Sequence, residues 1–162
     1  MKTKKGHRKL RKVIAVRHGE YSGLGSSESL NEDGKAQMAL LTVKIMGLVG
    51  NGRVEVLSSP EPRACQSAEI IAKELKCDYR VCQALIFDQH ASGLEMMNKM
   101  LEVRGGSEVI IAVTHFEAPS GIIEAFARKH FQKQFECREA QKGNGFMLCL
   151  ETGTITEDIL SL

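Results

Sequence analysis

The stretch VIAVRHGE, residues 13–20, decides how this chain of 162 residues begins to fold. Its first four residues are apolar and mostly β-branched, as in strands that are covered on both faces of a sheet. Arg17, His18 and Glu20 follow almost at once. Because ligands of open α/β sheets bind outside the carboxyl ends of the strands, we expect a central strand at residues 13–16 with a functional site directly after it.

The rest of the chain alternates short apolar runs with helical spacing, which is the pattern of an α/β domain. Further strands are predicted at residues 54–57, 79–82, 109–113 and 146–150. Four sets of apolar residues recur at helical spacing: Met38, Leu41, Ile45 and Leu48; Ala68, Ile71 and Leu75; Leu94, Met97 and Leu101; and Ile122, Ile123, Phe126 and Ala127. We expect an α/β fold, a three-layer α/β/α sandwich around a mostly parallel central sheet, with the Gly- and Ser-rich run 22–29 as a surface loop.

Length and composition favour one domain. The chain is 43% hydrophobic and 26% charged, values that are ordinary for a globular protein. No apolar run approaches the roughly 18 residues that a membrane span needs. We divide the chain into a basic N-terminal tail, residues 1–12, and a single domain, residues 13–162.

The tail carries seven Lys and Arg residues and no acid, which leaves the domain with a net charge of −5. This balance argues against a basic nucleic-acid groove on the domain, and we expect the tail to be solvated. No apolar run of secretory-signal length follows it, and the five cysteines show neither a CxxC pair nor zinc-site spacing. We therefore expect reduced cysteines, a cytoplasmic protein, and neither nucleic acid nor membrane as a partner. The sequence makes no prediction of the oligomeric state.

Polar residues follow three of the predicted strands, at residues 17–20, 58–60 and 114–115. Since the carboxyl ends of parallel strands meet at one edge of a sheet, these residues could converge on one pocket. The candidate set contains two arginines and two histidines, namely Arg17, Arg63, His18 and His115. Guanidinium groups match phosphate oxygens bidentately, and a neutral imidazole can attack phosphorus, so the ligand expected is a phosphate.

Four separate blocks of the sequence resemble the histidine phosphatase superfamily, also called the phosphoglycerate mutase-like family. They are RHGE at residues 17–20, LNEDGKAQ at 30–37, SSPEPRACQSA at 58–68 and VTH at 113–115. Their order and spacing agree with the family from about Val13 to about Gly121. The resemblance implies a phosphoglycerate mutase-like fold over the domain and a metal-independent phosphatase with no cofactor.

The resemblance also implies a role for each matched residue. His18 would be the nucleophile that takes the phosphoryl group as a phosphohistidine, while Arg17, Arg63 and His115 would hold the phosphoryl oxygens. Two nearby guanidinium charges disfavour a third positive charge, which would keep His18 unprotonated. Gly19, which lacks a Cβ, would let the backbone pass close to the phosphate and orient the other nitrogen of His18.

A phosphomonoester also needs a proton for its departing oxygen. Asp88, in the segment after the second arginine, is the favoured general acid by resemblance, with Glu117 and Glu20 as rivals. A strong acid would matter less if the leaving group were the imidazole of a phosphohistidine.

The substrate class follows from the short loops of the chain. Only about 50 residues separate Arg63 from His115, and the loop 21–29 lacks the asparagine that mutase-like members carry. In both respects the chain is similar to the small bacterial phosphohistidine phosphatases, so a shallow, open site that acts on protein phosphohistidine is expected. The alternatives are a small phosphomonoester substrate and, ranked last, a non-catalytic phosphate- or protein-binding module.

Overall fold

Strand β1 (Lys12–Arg17) lies inside a six-stranded sheet, where it pairs in parallel with one neighbour and antiparallel with the other. The structure, a computed structural model, describes residues 8–24, 28–86 and 92–162. The other strands of the described residues are β2 (Tyr21–Ser22), β3 (Ser29–Leu30), β4 (Val54–Ser58), β5 (Tyr79–Val81), β6 (Val109–Thr114), β7 (Gly145–Cys149) and β8 (Ile155–Thr156). The helices are α1 (Glu32–Val49), α2 (Pro62–Glu74), α3 (Gly93–Val103) and α4 (Ala118–Phe131).

The strand order in the sheet is β5-β4-β6-β1-β7-β8. Strands β5, β4, β6 and β1 run parallel to one another, whereas β7 pairs antiparallel with β1 and β8 pairs antiparallel with β7. The predicted mostly parallel sheet is therefore confirmed, and each predicted strand is present within one or two residues of its expected bounds.

Alternation along β1 creates the three layers, because successive side chains of a strand point to opposite faces. Val13 and Ala15 face the core that the residues of α3 and α4 fill. Ile14 and Val16 face the core of α1 and α2. The helices therefore cover both faces, which confirms the expected α/β/α sandwich.

Local sequence signals explain where the helices begin. The side chain of Asn31 caps α1 by accepting a hydrogen bond from the backbone N–H of Gly34 at 2.9 Å. Proline occupies the first turn of both α2 and α4, where its missing N–H costs nothing. The functional consequence is that α2 starts immediately after β4 and carries Arg63 in its first turn.

Two regions differ from the sequence-based expectation. The described part of the basic tail packs against the domain: Leu10 is buried and Arg8 forms an ion pair with Glu108. Within the run 22–29, expected as a loop, residues at both ends form strands, and β2 pairs antiparallel with β3. Residues 25–27 lie outside the described residues.

All five cysteines are free. Among the described residues, no helix is long and apolar enough to cross a membrane.

Candidate active site

The carboxyl ends of three neighbouring strands, β4, β6 and β1, meet at one edge of the sheet. Arg17 is the last residue of β1 and His18 comes next, while His115 directly follows β6. Arg63 reaches the same place from the first turn of α2. His18 and His115 are 1% and 0% exposed, and Arg17 and Arg63 are 6% and 8% exposed. The structure therefore brings together all four residues that the sequence singled out.

The two hydrogen bonds of His18 define its tautomer. Its Nδ1 lies 2.8 Å from the carbonyl oxygen of Gly19, and its Nε2 lies 3.2 Å from Nε of Arg63. A carbonyl only accepts hydrogen bonds and a guanidinium only donates them. Nδ1 must therefore carry the proton, and Nε2 presents its lone pair toward Arg63.

Burial keeps both site histidines neutral. Burial lowers the pKa of His18 to about 4. The hydrogen bond to the carbonyl of Gly19 raises this pKa, and the charges of Arg63, Arg17 and Lys142 lower it. Burial, with His18 and the two arginines, lowers the pKa of His115 to about 3. At neutral pH the site therefore holds two uncharged imidazoles between two guanidinium groups.

His115 is placed against both the nucleophile candidate and the end of β4. Its ring centre lies 5.0 Å from that of His18 at an interplanar angle of 62°. Its Nε2 lies 2.7 Å from Oγ of Ser59, the residue after β4. The polar residues expected after β4 therefore contribute to the site through this hydroxyl.

A glycine pair lets the turn after β1 pack against α1. A Cβ on Gly19 would lie 2.5 Å from the carbonyl oxygen of Gly34. The backbone N–H of Gly19 donates to Oγ of Ser67 at 3.1 Å, and that hydroxyl donates to the carbonyl of Arg63 at 2.8 Å. This chain of hydrogen bonds couples the turn that carries His18 to the helix that carries Arg63.

The sequence-based reasoning missed several side chains that surround these four residues. Tyr21 lies edge-on to His18, with ring centres 5.3 Å apart. Lys142 lies 4.8 Å from the centre of the Tyr21 ring and forms an ion pair with Glu20 at 2.7 Å. Glu139 contacts Arg17 at 2.7 Å. Glu139 and Lys142 belong to the irregular segment after α4, where no periodic pattern or motif marks them in the sequence.

The three general-acid candidates, Asp88, Glu20 and Glu117, differ in what the structure describes of them. Asp88 lies outside the described residues. The ion pair with Lys142 holds the pKa of Glu20 below its ordinary value, so Glu20 is a poor proton donor at neutral pH. Glu117 is exposed at the start of α4.

A surface cavity of about 440 Å³ adjoins the site, lined by Arg17, Glu20, Gln37, Glu139, Ala140, Gln141 and Lys142. It leaves open space beside Arg17. Among residues 8–24, 28–86 and 92–162, no group of three or more His, Cys, Asp and Glu side chains is arranged to hold a metal ion.

Comparison with known proteins gives a family match and a set of similar folds. The model of the histidine phosphatase superfamily (branch 1) matches residues 13–100. The mitochondrial serine/threonine-protein phosphatase Pgam5 of Drosophila ananassae is 39% identical over 74 residues, which cover 44% of this chain and 25% of that protein. The match thus spans about a quarter of the length of this curated relative.

Solved structures are similar over most of the chain at low sequence identity. A candidate phosphohistidine phosphatase SixA from Nakamurella multipartitia has a TM-score of 0.70 at 14% identity, covering 91% of this chain and 96% of that one. The alpha-ribazole phosphatase from Shigella flexneri has a TM-score of 0.62 at 16% identity, covering 90% and 94%. The protein histidine phosphatase SixA in complex with tungstate has a TM-score of 0.63 at 17% identity, covering 90% and 93%. These structures share the fold.

Proposed function

The chain belongs to the histidine phosphatase superfamily (branch 1), and from this premise we propose that it is a metal-independent phosphatase that forms a phosphohistidine on His18. The proposed substrate is a phosphorylated protein side chain, with phosphohistidine favoured. Arg17, Arg63 and His115 are the proposed phosphate-binding residues.

One observation carries the proposal: His18 is buried, neutral and held as a single tautomer. Nδ1 donates its proton to the carbonyl of Gly19, so Nε2 carries the lone pair, which accepts a hydrogen bond from Arg63 until a bound phosphoryl group takes the place of that contact. Nε of Arg63 lies 3.2 Å from that nitrogen, so a phosphoryl group bound to Arg63 would sit next to the nucleophile. Such preorganisation of donors around the developing charge is the main source of catalysis in phosphoryl transfer.

The proposed reaction has two steps. Nε2 of His18 attacks phosphorus, the bond between phosphorus and the leaving group breaks, and the leaving group takes up a proton. A water molecule then attacks the phosphorus of phosphohistidine and gives up a proton, the phosphorus–nitrogen bond breaks, and inorganic phosphate and neutral His18 are released. The guanidinium groups of Arg17 and Arg63 stabilise the oxygens of the phosphoryl group in both steps.

The carboxylates near the site favour a leaving group that needs no strong acid. Four described carboxylates approach it, and each contacts a cation: Glu20 with Lys142, Glu28 and Glu61 with Arg63, and Glu139 with Arg17. Each of these four carboxylates is thus engaged with a cation of the site and is not free to face a leaving group. The imidazole of a phosphohistidine leaves more readily than an alkoxide, which supports phosphohistidine as the substrate.

A second candidate, phosphoserine or phosphothreonine on a protein, is favoured by the 39% identity to a serine/threonine-protein phosphatase. An alkoxide leaving group requires a general acid. For this substrate we propose Asp88 as the acid, as the sequence resemblance implies.

The test compares the wild-type protein with His18→Ala in the presence of EDTA. Both are given an aryl phosphate, a phosphohistidine peptide and a phosphothreonine peptide, and the samples are quenched in acid or in base. We expect wild type to accumulate an acid-labile, base-stable phosphoenzyme. His18→Ala should form none and should lose roughly a thousandfold or more in kcat/KM.

His130→Ala is the matched control, since this histidine is exposed on α4 and should leave turnover unchanged. Faster hydrolysis of the phosphothreonine peptide would replace the favoured substrate with the second candidate. If wild type neither hydrolyses any of the three substrates nor becomes labelled, the proposal of a phosphatase is wrong.

A further inference from the structure

The guanidinium group of Arg17 is held at one end and on one face. Its Nη1 donates hydrogen bonds to Oε1 of Glu139 at 2.7 Å and to the carbonyl of Ala140 at 2.9 Å. Its Cζ lies 4.6 Å from the centre of the Phe116 ring. A planar fork that is fixed at one nitrogen and stacked on a ring has little freedom to rotate.

Arg63 is held by two of these kinds of contact, a carboxylate and an aromatic ring. Its Nη1 lies 2.7 Å from Oε2 of Glu28, and its Cζ lies 4.9 Å from the centre of the Tyr21 ring. The Nε edge of this fork faces the site, since Nε donates to His18. In both arginines, therefore, a carboxylate takes Nη1 and an aromatic ring covers one face.

The Nε atom of Arg17 is the hydrogen-bond donor that this arrangement leaves available to a ligand. It is buried and, among the described residues, it makes no hydrogen bond. A buried N–H without a partner is costly unless a ligand satisfies it. With Nη1 taken, the edge formed by Nε and Nη2 is left to bind two phosphate oxygens in the bidentate geometry typical of arginine.

We propose that Glu139 and Glu28 are positioning residues, which hold Nη1 of Arg17 and Arg63 so that the Nε edges of both forks face the phosphoryl group. This inference rests on the proposed function. It assigns a role to two carboxylates that the reaction itself does not use.

The backbone around Glu139 is anchored to the same turn that carries the nucleophile. The backbone N–H of Gly143 donates to the carbonyl of His18 at 3.0 Å, and the N–H of Ala140 donates to the carbonyl of Phe116 at 3.0 Å. The N–H of Arg17 donates to the carbonyl of Asn144 at 2.9 Å. Because the segment directly after Glu139 is fixed in this way, the carboxylate of Glu139 can orient Arg17 although 59% of that side chain is exposed.

A role of Glu139 and Glu28 as competitors of phosphate predicts the opposite change in phosphate binding. If the carboxylates occupied the phosphate position of the arginines, they would have to leave when the substrate binds. Removal of a carboxylate would then strengthen oxyanion binding, because it would remove a competing negative charge. Removal of a positioning residue would weaken binding and slow the reaction.

The experiment measures the binding of inorganic phosphate by calorimetry, together with kcat and KM for an aryl phosphate. The variants are Glu139→Ala, Glu139→Gln and Glu28→Ala. Glu136→Ala is the matched control, since Glu136 is an exposed carboxylate of the same segment. Thermal unfolding of each variant checks that the fold is intact.

We expect Glu139→Ala and Glu28→Ala to weaken phosphate binding roughly tenfold each, the value of one charge-assisted hydrogen bond. The variants should also lower kcat, because a misaligned fork loses contacts in the transition state. Glu139→Gln keeps an oxygen acceptor for Nη1 and should recover part of both losses. Glu136→Ala should match wild type.

Phosphate binding that is unchanged or tighter in Glu139→Ala and Glu28→Ala would overturn the inference, as would an equal loss in Glu136→Ala. The calorimetric measurement of phosphate binding does not depend on turnover. A wild-type protein that binds phosphate without hydrolysing any substrate would therefore contradict the proposed function while still testing this inference.

Discussion

The titration of His18 depends on four neighbours that act in opposite directions. Burial lowers its pKa most, the carbonyl of Gly19 raises it, and the charges of Arg63, Arg17 and Lys142 lower it further, to about 4. Nε2 of His18 is therefore unprotonated between about pH 4 and about pH 6.5, where an ordinary histidine would have lost its lone pair to a proton.

The first prediction concerns this pKa. Titration of the His18 ring by NMR from pH 3 to pH 8 should show a midpoint near pH 4, and kcat/KM should decline only as His18 becomes protonated near that pH. A midpoint near 6.5 would contradict the burial argument.

The variant Lys142→Met tests how far a single nearby charge sets the pKa of His18. It removes one of the cations that lower the pKa of His18, so the midpoint should move upward. Lys99→Met is the matched control, because Lys99 is exposed on α3 and pairs with Glu102. An equal shift in both variants would mean that net charge, and not local geometry, sets the titration.

At the scale of elements, helix α1 supports the turn that carries His18. A Cβ on Gly34, in the first turn of α1, would lie 1.9 Å from the carbonyl oxygen of Glu20. The same turn is bound to the helix by hydrogen bonds from Asn31 to the carbonyl of Glu20 and from the N–H of Glu20 to Gln37. The close approach therefore sets the distance between α1 and the loop of His18.

The second prediction compares two glycines of α1. A Cβ on Gly34 would meet the backbone of the turn, whereas a Cβ on Gly47 would meet open space. Gly34→Ala should destabilise the protein by about 1–3 kcal/mol, because the new methyl group forces the backbone of the turn to move. It should also lower kcat/KM, since His18 moves with the turn. Urea unfolding and steady-state kinetics measure the two effects.

Gly47→Ala is the control within the same helix. Nothing lies within 4 Å of the position its Cβ would take. Alanine in an exposed helix interior is favoured over glycine by roughly 0.5–1 kcal/mol, so this variant should be slightly more stable with unchanged activity. Similar losses of stability in both variants would show that the contact between α1 and the turn is unimportant.

At the scale of the whole molecule, the site lies where the two cores and the sheet edge meet. Three adjacent strands deliver buried polar groups to one place, and the helices on both faces exclude water from them. This burial keeps His18 and His115 neutral, whereas the unfolded chain would protonate them at an ordinary pKa.

The third prediction is a loss of stability in mild acid. The pKa values of His18 and His115 are both lowered in the folded state, mainly by burial. Between an unfolded value near 6.5 and the folded values, the unfolded chain binds more protons, so stability falls as the pH falls. The urea midpoint should therefore be lower at pH 5 than at pH 7.

The double variant His18→Asn/His115→Asn identifies the groups responsible. It should show a smaller difference between the two pH values than wild type, whatever its absolute stability. The carboxylates with lowered pKa values, such as Glu20 and Glu55, reduce stability only when the pH falls below about 4.5, their ordinary value. An equal difference in the double variant would assign the acid effect to other groups.

Much of the fold was predictable because its signals are local. The apolar runs marked the longer strands, and apolar spacing marked the four α-helices of the described residues. The short strands β2, β3 and β8 were missed, because two-residue strands carry no alternation that could be recognised.

The amino-acid order by itself determined which groups stand at the ends of β1 and β6 and in the first turn of α2, and with them the candidate residues Arg17, His18, Arg63 and His115. Only the tertiary structure decided how these groups behave. Glu139 contacts Arg17 from 122 positions away, and burial together with nearby charges moves the pKa of His18. Desolvation, Coulomb interactions and hydrogen-bond geometry depend on distances through space, which the folded backbone alone establishes.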